Sequence, residues 1–435
     1  MRTLIINAVV VDGTGAPARP DSTVVVEDHL ISEIVPNRAP YYDRAGTIID
    51  ARDGFVLPGV VNHHAHGLTR GPLMIVGEPA LEDARVRANL DRLLSQGVTT
   101  ALNVDGYATT EDAAASSRFH PLMVKVATLH TPAHFAWAAE GPFPLGGIQP
   151  WHRWTLDQML ERGAVAIGEA GPGIDAHWSD YALIPSAIER RGGRSTAQAA
   201  RALRVAAEEA DRASVEHLLA KTGADITVDE FLTIHEATIE WRRLARVALD
   251  EAIAAARTHD IPLILHHTPG THEVALEAAG ELSGRLIAAH SNFQIDDAAD
   301  ASHRARALRQ RGALIDVMSG DAFSGGQFHR SPEVTFRLLR DGVVDLISTD
   351  YAGGFWDSML LVAQKAHEAG VIGLEQAVRL MTSAPVDAIS HLAPDRGRLV
   401  PGAIADIVVT ERGQLSAVRE VLVSGHRVAV RRSGW

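Results

Sequence analysis

Residues 56–66 read VLPGVVNHHAH: an apolar run is interrupted by the Pro58-Gly59 turn, resumes as Val60-Val61, and ends in His63, His64 and His66. A short apolar run bounded by turn residues is the mark of a buried strand. The i, i+2 spacing of His64 and His66 places both imidazoles on one face of that strand, a chelating arrangement.

Working outward, seven more runs of this kind follow, each trailed by a helical pattern. They are GVTTALNVDG (97–106), PLMVKVATLH (121–130), GAVAIGEAG (163–171), IPLILHHT (261–268), RLIAAHSN (285–292), GALIDVMSG (312–320) and VVDLISTD (343–350). Strands alternating with helices indicate βα units and a parallel sheet. Eight of them, with no phosphate-binding glycine turn after the first, predict an α/β fold, a closed (β/α)8 TIM barrel rather than an open doubly wound sheet. Before this region, LIINAVVVD, STVVVE and TIIDARDG read as short strands between turns, and ADIVVTE and AVREVLVSGHRVAV repeat the style near the end. Neither group buries a sheet face alone, so residues 1–57 and 393–435 are expected to form one small β-sandwich domain, with the barrel over 58–392.

The fourth-to-fifth connection is abnormally long, at residues 172–260. Capping boxes are expected at Ser195–Gln198 and Thr227–Glu230, with Gly223 closing the first helix and a second running from about Val228 to Arg257. The part over about 172–240 exceeds what a barrel needs. Its apolar stretches AARALRVAAEEA and LARVALDEAIAAA predict a lid or, preferably, burial against a second subunit in a homo-oligomer.

Of 435 residues, 46% are hydrophobic and 22% charged, a globular composition. With 41 Lys+Arg against 54 Asp+Glu the net charge is −13, which argues against nucleic acid or anionic membrane as partners. No run approaches a membrane span, and the opening residues lack a secretory apolar region, so a cytoplasmic enzyme acting on a small molecule is expected. The chain has no cysteine, which leaves His and carboxylate as metal ligands, and 21 histidines are present.

Those histidines and carboxylates gather at the carboxyl ends of the predicted strands: His64 and His66 on the first, Glu169 on the fourth, His266-His267 on the fifth, His290 on the sixth, Asp350 on the eighth. In a barrel these ends surround the opening where active sites lie. Imidazole and carboxylate suit two divalent ions, zinc at both, or iron or manganese at one position. Glu169 is the expected bridge, His64, His66 and Asp350 hold the first ion, and His267 and His290 the second. Ions so placed lower the pKa of bound water toward ~7, and Asp350 serves as general base and then acid to a leaving nitrogen. Only one of His266 and His267 can face inward. His63, His130, His134 and His266 are read as wall or supporting residues.

VLPGVVNHHAH resembles the PG-x-x-D-x-H-x-H opening of the amidohydrolase superfamily, and RGRLVPGAIADIVV (396–409) resembles its return into the small β-domain. Within it, AIGEAGPG, HHTPGT, AAHSN and STDYAGG are most similar to the enamidase-type binuclear cyclic amidohydrolases, and more loosely to adenine deaminases. The resemblance implies a bridging glutamate from the fourth-strand region and assigns the ligand of the fifth strand to His267. Two departures stand out. Asn62 occupies the position of the usual Asp, removing a charge that would orient a ligand. Lys125 is the one lysine on a predicted barrel strand that could replace Glu169 as a carboxylated bridge.

The reading is metal-dependent hydrolysis of a C–N amide bond in a cyclic amide or related nitrogen heterocycle. A hydrolytic deaminase of an amino-heterocycle is the alternative, and a non-catalytic scaffold a remote one. Thr268, Thr271, His130, Asn292, Tyr351 and Trp356 are the expected substrate-binding residues. The glycine-rich GDAFSGGQFHR (320–330) could close over the site.

Overall fold

Eight parallel strands carry the chemistry, and their alternation with helices is what the apolar runs require. The computed structural model describes residues 1–37, 46–72, 80–140, 149–326, 331–351, 353 and 356–428. Five strands precede the barrel: β1 (Arg2–Val10), β2 (Arg19–Glu27), β3 (Leu30–Pro36), β4 (Thr47–Asp50) and β5 (Phe55–Pro58). The barrel strands are β6 (Val60–Ala65), β7 (Val98–Asn103), β8 (Met123–Thr128), β9 (Ala166–Ala170), β10 (Leu263–His266), β11 (Leu286–Ala289), β12 (Leu314–Met318) and β13 (Leu346–Ser348). Each lies inside one of the eight predicted runs, and they pair in sequence order from β6 to β13. Between the ends of this order, His66 N–H donates to Tyr351 O at 2.7 Å and Asp350 N–H to His64 O at 3.0 Å. The (β/α)8 barrel is therefore formed as expected.

The last strands, β14 (Ile407–Glu411), β15 (Gln414–Val423) and β16 (His426–Val428), join the first five in one sheet ordered β16-β15-β14-β5-β1-β2-β3, with β4 also on β1. Both chain termini thus build one sheet with its own apolar cluster, including Ile5, Val24, Ile31, Ile407 and Leu422. β5 passes into β6 through Gly59, where an added Cβ would stand 2.1 Å from Thr99 Oγ1, so only glycine permits that approach.

Inside the barrel, Val61, Leu102, Ala127, Ala166, Ile264, Ile287 and Leu346 form one cluster with Ala384, Val386, Ile389 and Leu392. This layer, to which every barrel strand but β12 gives one of these side chains, is the barrel floor, plugged at its amino-terminal end by the segment around Ser383–Ala388. Lys125 pairs with Leu102 in this lower region, below the strand ends where Glu169 lies.

The long connection departs from expectation in detail. Its first capped helix begins at Thr196, whose side chain accepts from Ala199 N–H, one residue later than the Ser195 box. The stretch then breaks into two helices, Ala197–Glu208 and Arg212–Thr222. Asp211 caps the second at its start, and Gly223, in the left-handed region with φ 70°, closes it. Thr227 and Glu230 form the expected capping box on Val228–His259. Most apolar residues here are used within the chain: Ala200, Leu203, Val215, Leu219 and Phe231 make a core of their own, and Ala252, Ile253 and Ala256 join the barrel core. Among the described residues, Val205, Ile239 and Val247 are the large apolar side chains it leaves exposed.

Candidate metal centre

The site starts from a bulge. Along β6 and β7 the register runs Asn62 to Ala101 and then Ala65 to Asn103, three residues on one strand against two on the other. An extra residue resets the alternation, which lets His63 and also His64 and His66 face the interior. All three are buried. Asn62 holds the turn together: its amide donates to Thr349 Oγ1 at 2.7 Å and its carbonyl accepts from Thr349 N–H at 3.2 Å, linking the first and eighth strands without a charge.

Glu169, at the end of β9, projects between two sets of histidines. Its Oε2 lies 3.5 Å from His64 Nε2 and 3.5 Å from His66 Nε2, and Asp350 Oδ1 lies 3.5 Å and 3.4 Å from the same two nitrogens. Its Oε1 lies 2.8 Å from His266 Nδ1 and 2.7 Å from His290 Nε2. One carboxylate therefore serves both groups that could each hold an ion, His64-His66-Glu169 and Glu169-His266-His290. His64 Nε2 is buried with no hydrogen-bond partner, facing carboxylates at distances too long for hydrogen bonds. Imidazoles and carboxylates with such a gap between them fit a divalent cation.

The electrostatics agree. Burial opposes charge on His66, but Asp105, Asp350 and Glu169 outweigh it and hold the imidazole well above the ordinary range. Burial opposes the His290 cation too, and Glu169 and Asp350 bring it up to about 9. Against the same desolvation, His64, His266 and His290 hold Glu169 well below the usual carboxylate range, and His66, His290 and His64 hold Asp350 below it. Carboxylates that bind protons on neighbouring imidazoles this firmly offer the same field to a cation.

One residue of the expected set is corrected. The side chain that reaches Glu169 from the fifth strand belongs to His266, not His267. Ile264 faces the barrel interior, so His266, two residues on, does as well: the register shift against β9 places its extra residue on β9, and the alternation of β10 itself is unbroken. His267 turns outward and is consumed by structure. Ser291 donates its hydroxyl to Ala288 O at 3.0 Å, so it accepts from His267 Nδ1 at 2.9 Å, and His267 Nε2 meets His272 Nδ1 at 3.1 Å. Burial, with His272 and His290 nearby, pushes His267 well below the ordinary imidazole range.

The expected substrate residues are mostly committed elsewhere. Asn292 bonds Met318 O and N–H and Thr335 Oγ1, stitching the sixth strand end to the seventh. Thr271 donates to His266 O at 2.7 Å, fixing the turn that aims His266, and Thr268 donates to Asp175. Tyr351 donates to Asn89 Oδ1 at 3.2 Å, and Trp356 Nε1 to Gly353 O at 2.8 Å. His130 faces Trp151 O at 3.1 Å and lines a cavity of about 560 Å³ with Phe135, His152 and Trp154, in which none of the cluster residues takes part. Residues 327–330 of the glycine-rich segment lie outside the described residues. Its described part turns back on Asp321 O and is tied to Asp357.

Two carboxylates of the site escaped sequence reading. Asp105, just past β7, accepts from His66 Nδ1 at 2.8 Å and from Gly67 N–H at 3.0 Å, which leaves His66 Nε2 as the nitrogen that could meet a metal ion. Asp316 lies under His63 and His290 on β12. Asp105 had a signal in its position, near the carboxyl end of a quoted strand run, whereas Asp316 stands in the middle of its run and had only its charge among apolar residues.

No protein-family model matches the chain. Imidazolonepropionase from Salinispora arenicola is 31% identical over 196 residues, 37% of this chain and 49% of that protein. The enzyme of the same name from Salinispora tropica is 31% identical over 180 residues, 33% of this chain and 45% of that protein. The chain thus spans about half the length of the curated relatives it matches. Among solved structures, β-aspartyl dipeptidase from Fervidobacterium islandicum AW-1, in complex with a β-Asp-Leu dipeptide, aligns with a TM-score of 0.57 at 15% identity, covering 98% of this chain and 96% of that one. L-Hydantoinase (dihydropyrimidinase) from Arthrobacter aurescens aligns with a TM-score of 0.54 at 15% identity and the same coverage. At such identities the likeness establishes the fold. Barrel, terminal sheet and strand-end histidines define a (β/α)8-barrel protein with a candidate metal site. Within that class the chain is similar, over about a third of its length, to the imidazolonepropionases.

Proposed function

We propose that this protein is a hydrolase that opens a C–N amide bond in a cyclic amide or related nitrogen heterocycle, using two divalent ions, zinc in the first instance. The observation that carries the reading is Glu169, whose two oxygens address separate sets of histidines. His64, His66 and Asp350 would hold one ion, His266 and His290 the other, with Glu169 shared. Ions held there would supply the acidity for a water and the polarisation of the scissile carbonyl.

The protein's own groups do the rest. Asp350, kept ionised by the surrounding histidines against its burial, accepts a proton on its carboxylate and returns it to the leaving nitrogen. Asp105 holds His66 in the tautomer that presents Nε2. Burial of His64, His66 and His290 keeps bulk water away from the charges. The names of the similar proteins, imidazolonepropionase, hydantoinase and dipeptidase, support hydrolysis of this bond type. In this reading residues 58–392 form the catalytic barrel, and 1–57 with 393–435 form the domain that braces it.

A panel of cyclic amides, imides and amino-heterocycles, followed by mass and by ammonia release, tests the reaction. A product heavier by one water without ammonia is expected, and stoichiometric ammonia from an intact ring would replace this reading with the deaminase. Metal analysis of protein purified without chelator should give two ions per chain, and none under metal-replete conditions overturns the centre. Self-association through the long connection would draw on Val205, Ile239 and Val247, large apolar side chains exposed among the described residues. Light scattering at micromolar concentration reads it directly.

A further inference from the structure

We propose that Asp316 is a positioning residue of the metal centre, the clamp that sets the His290 side of it. The proposal rests on the two-ion reading above. Asp316 pairs with Leu346, a member of the interior layer, so its side chain points into the barrel, where it is fully buried. Its Oδ2 accepts the His290 N–H at 2.9 Å and the Ser348 hydroxyl at 2.9 Å. Its Oδ1 stands 3.2 Å from His63 Nε2, close but not in line for a hydrogen bond. Its main-chain carbonyl accepts the Ser291 N–H at 2.8 Å. Strands β6, β12 and β13 and the end of β11 therefore meet on one residue.

The chemistry of that meeting is directed at the site. His290 has a φ of 37°, in the left-handed region that residues with a Cβ adopt only when their surroundings impose it. Asp316 takes the N–H of His290 while the imidazole reaches Glu169 Oε1 at 2.7 Å, so the backbone is anchored on one side and the ring aimed on the other. His63 sits within the strand-one bulge that also turns His64 and His66 inward. A buried carboxylate is costly in an apolar barrel floor, and an apolar side chain would fill the same layer. Every donor to this one comes from a segment adjoining a metal-binding residue.

The test is a stepwise titration of metal-free protein with Co²⁺, read by calorimetry and visible absorption. The step belonging to the His266–His290 half is identified as the one that His266→Ala abolishes. Asp316→Ala should weaken that step by ~10–100-fold, the usual effect of losing a partner that orients a ligand, and leave the other step in place. Asp316→Asn, whose amide oxygen can replace Oδ2 beneath both donors, should restore it. If Asp316→Ala fails to fold, Asp316→Asn combined with Ser348→Ala frees the amide to rotate and should weaken the same step. Unchanged affinity, or equal weakening of both steps, overturns the role of Asp316. A parent protein that takes up no metal would instead overturn the two-ion reading itself.

Discussion

The first and fifth barrel strands both end in consecutive histidines, and the fold treats them in opposite ways. On β6 a bulge between Asn62 and Ala65 turns His63, His64 and His66 all into the barrel. On β10 the alternation runs unbroken through Ile264, so His266 reaches Glu169 while His267 is spent on Ser291 and His272. The same dipeptide is thus two interior groups in one place and one interior group plus one structural group in the other. What separates them is a single extra residue in a strand.

The residue common to both strand ends gives the largest expected effect. Glu169→Ala should release both ions and lower turnover by roughly 10³-fold, the scale of removing a central electrostatic element. Metal analysis alongside kinetics reads this, and retention of one tightly held ion would show that the two ends are not joined through this carboxylate.

The next prediction sets the two neighbours on β10 against each other. His266→Ala should lose one ion and at least ~100-fold in rate, whereas His267→Ala should keep two ions. The cost of His267→Ala should appear as stability, about 1–3 kcal/mol, because Ser291 and His272 lose a buried partner. Denaturant titration and metal content together measure the contrast, and a reversed pattern breaks it.

Asp350 faces His64 and His66, on the bulged side. Asp350→Asn keeps a ligand oxygen but loses the base, so turnover should fall by at least ~100-fold with metal content preserved. Near-normal turnover in the metal-loaded variant would mean that another group moves the proton.

The smallest effect concerns histidines that, like His267, are buried without a carboxylate. Burial pushes His130 down to about 4 and His134 down to about 3. His134 is stacked between Tyr107 and Trp137, at ring separations of 4.9 and 5.0 Å. Below the ordinary imidazole value of ~6.5 the unfolded chain binds protons that the folded one refuses. The stability from keeping these rings neutral is therefore complete above about 6.5 and is lost as pH falls toward 4 and 3. Melting curves between pH 7 and 4 should show His134→Phe with a shallower loss than the parent, and identical slopes would remove His134 from the account.

The eight strands, the sheet built by both termini and the gathering of His64, His66, Glu169, His290 and Asp350 were legible in the chain, because apolar period and strand-end position are local properties. The choice between His266 and His267 was not. Leu263-Ile264-Leu265 is apolar on both faces, so the run carries no phase from which to count. Resemblance in HHTPGT pointed to His267, whereas the side chain that reaches Glu169 is that of His266. The helices of the long connection were visible, but Ser195 and Thr196 are equally good caps, and only packing chose Thr196.

By itself, then, the sequence determined the architecture, the kind of ligand and the ring of strand ends that carries it. Tertiary structure alone decided the bulge in β6, the inward turn of His266, and the pairing of Asp105 with His66 and of Asp316 with His290. The reason is physical. Which way a strand residue points depends on its register against a neighbouring strand, and a buried carboxylate finds its donors 39 residues away for Asp105 and 26 for Asp316. No local pattern records those meetings, because they exist only once the barrel has closed.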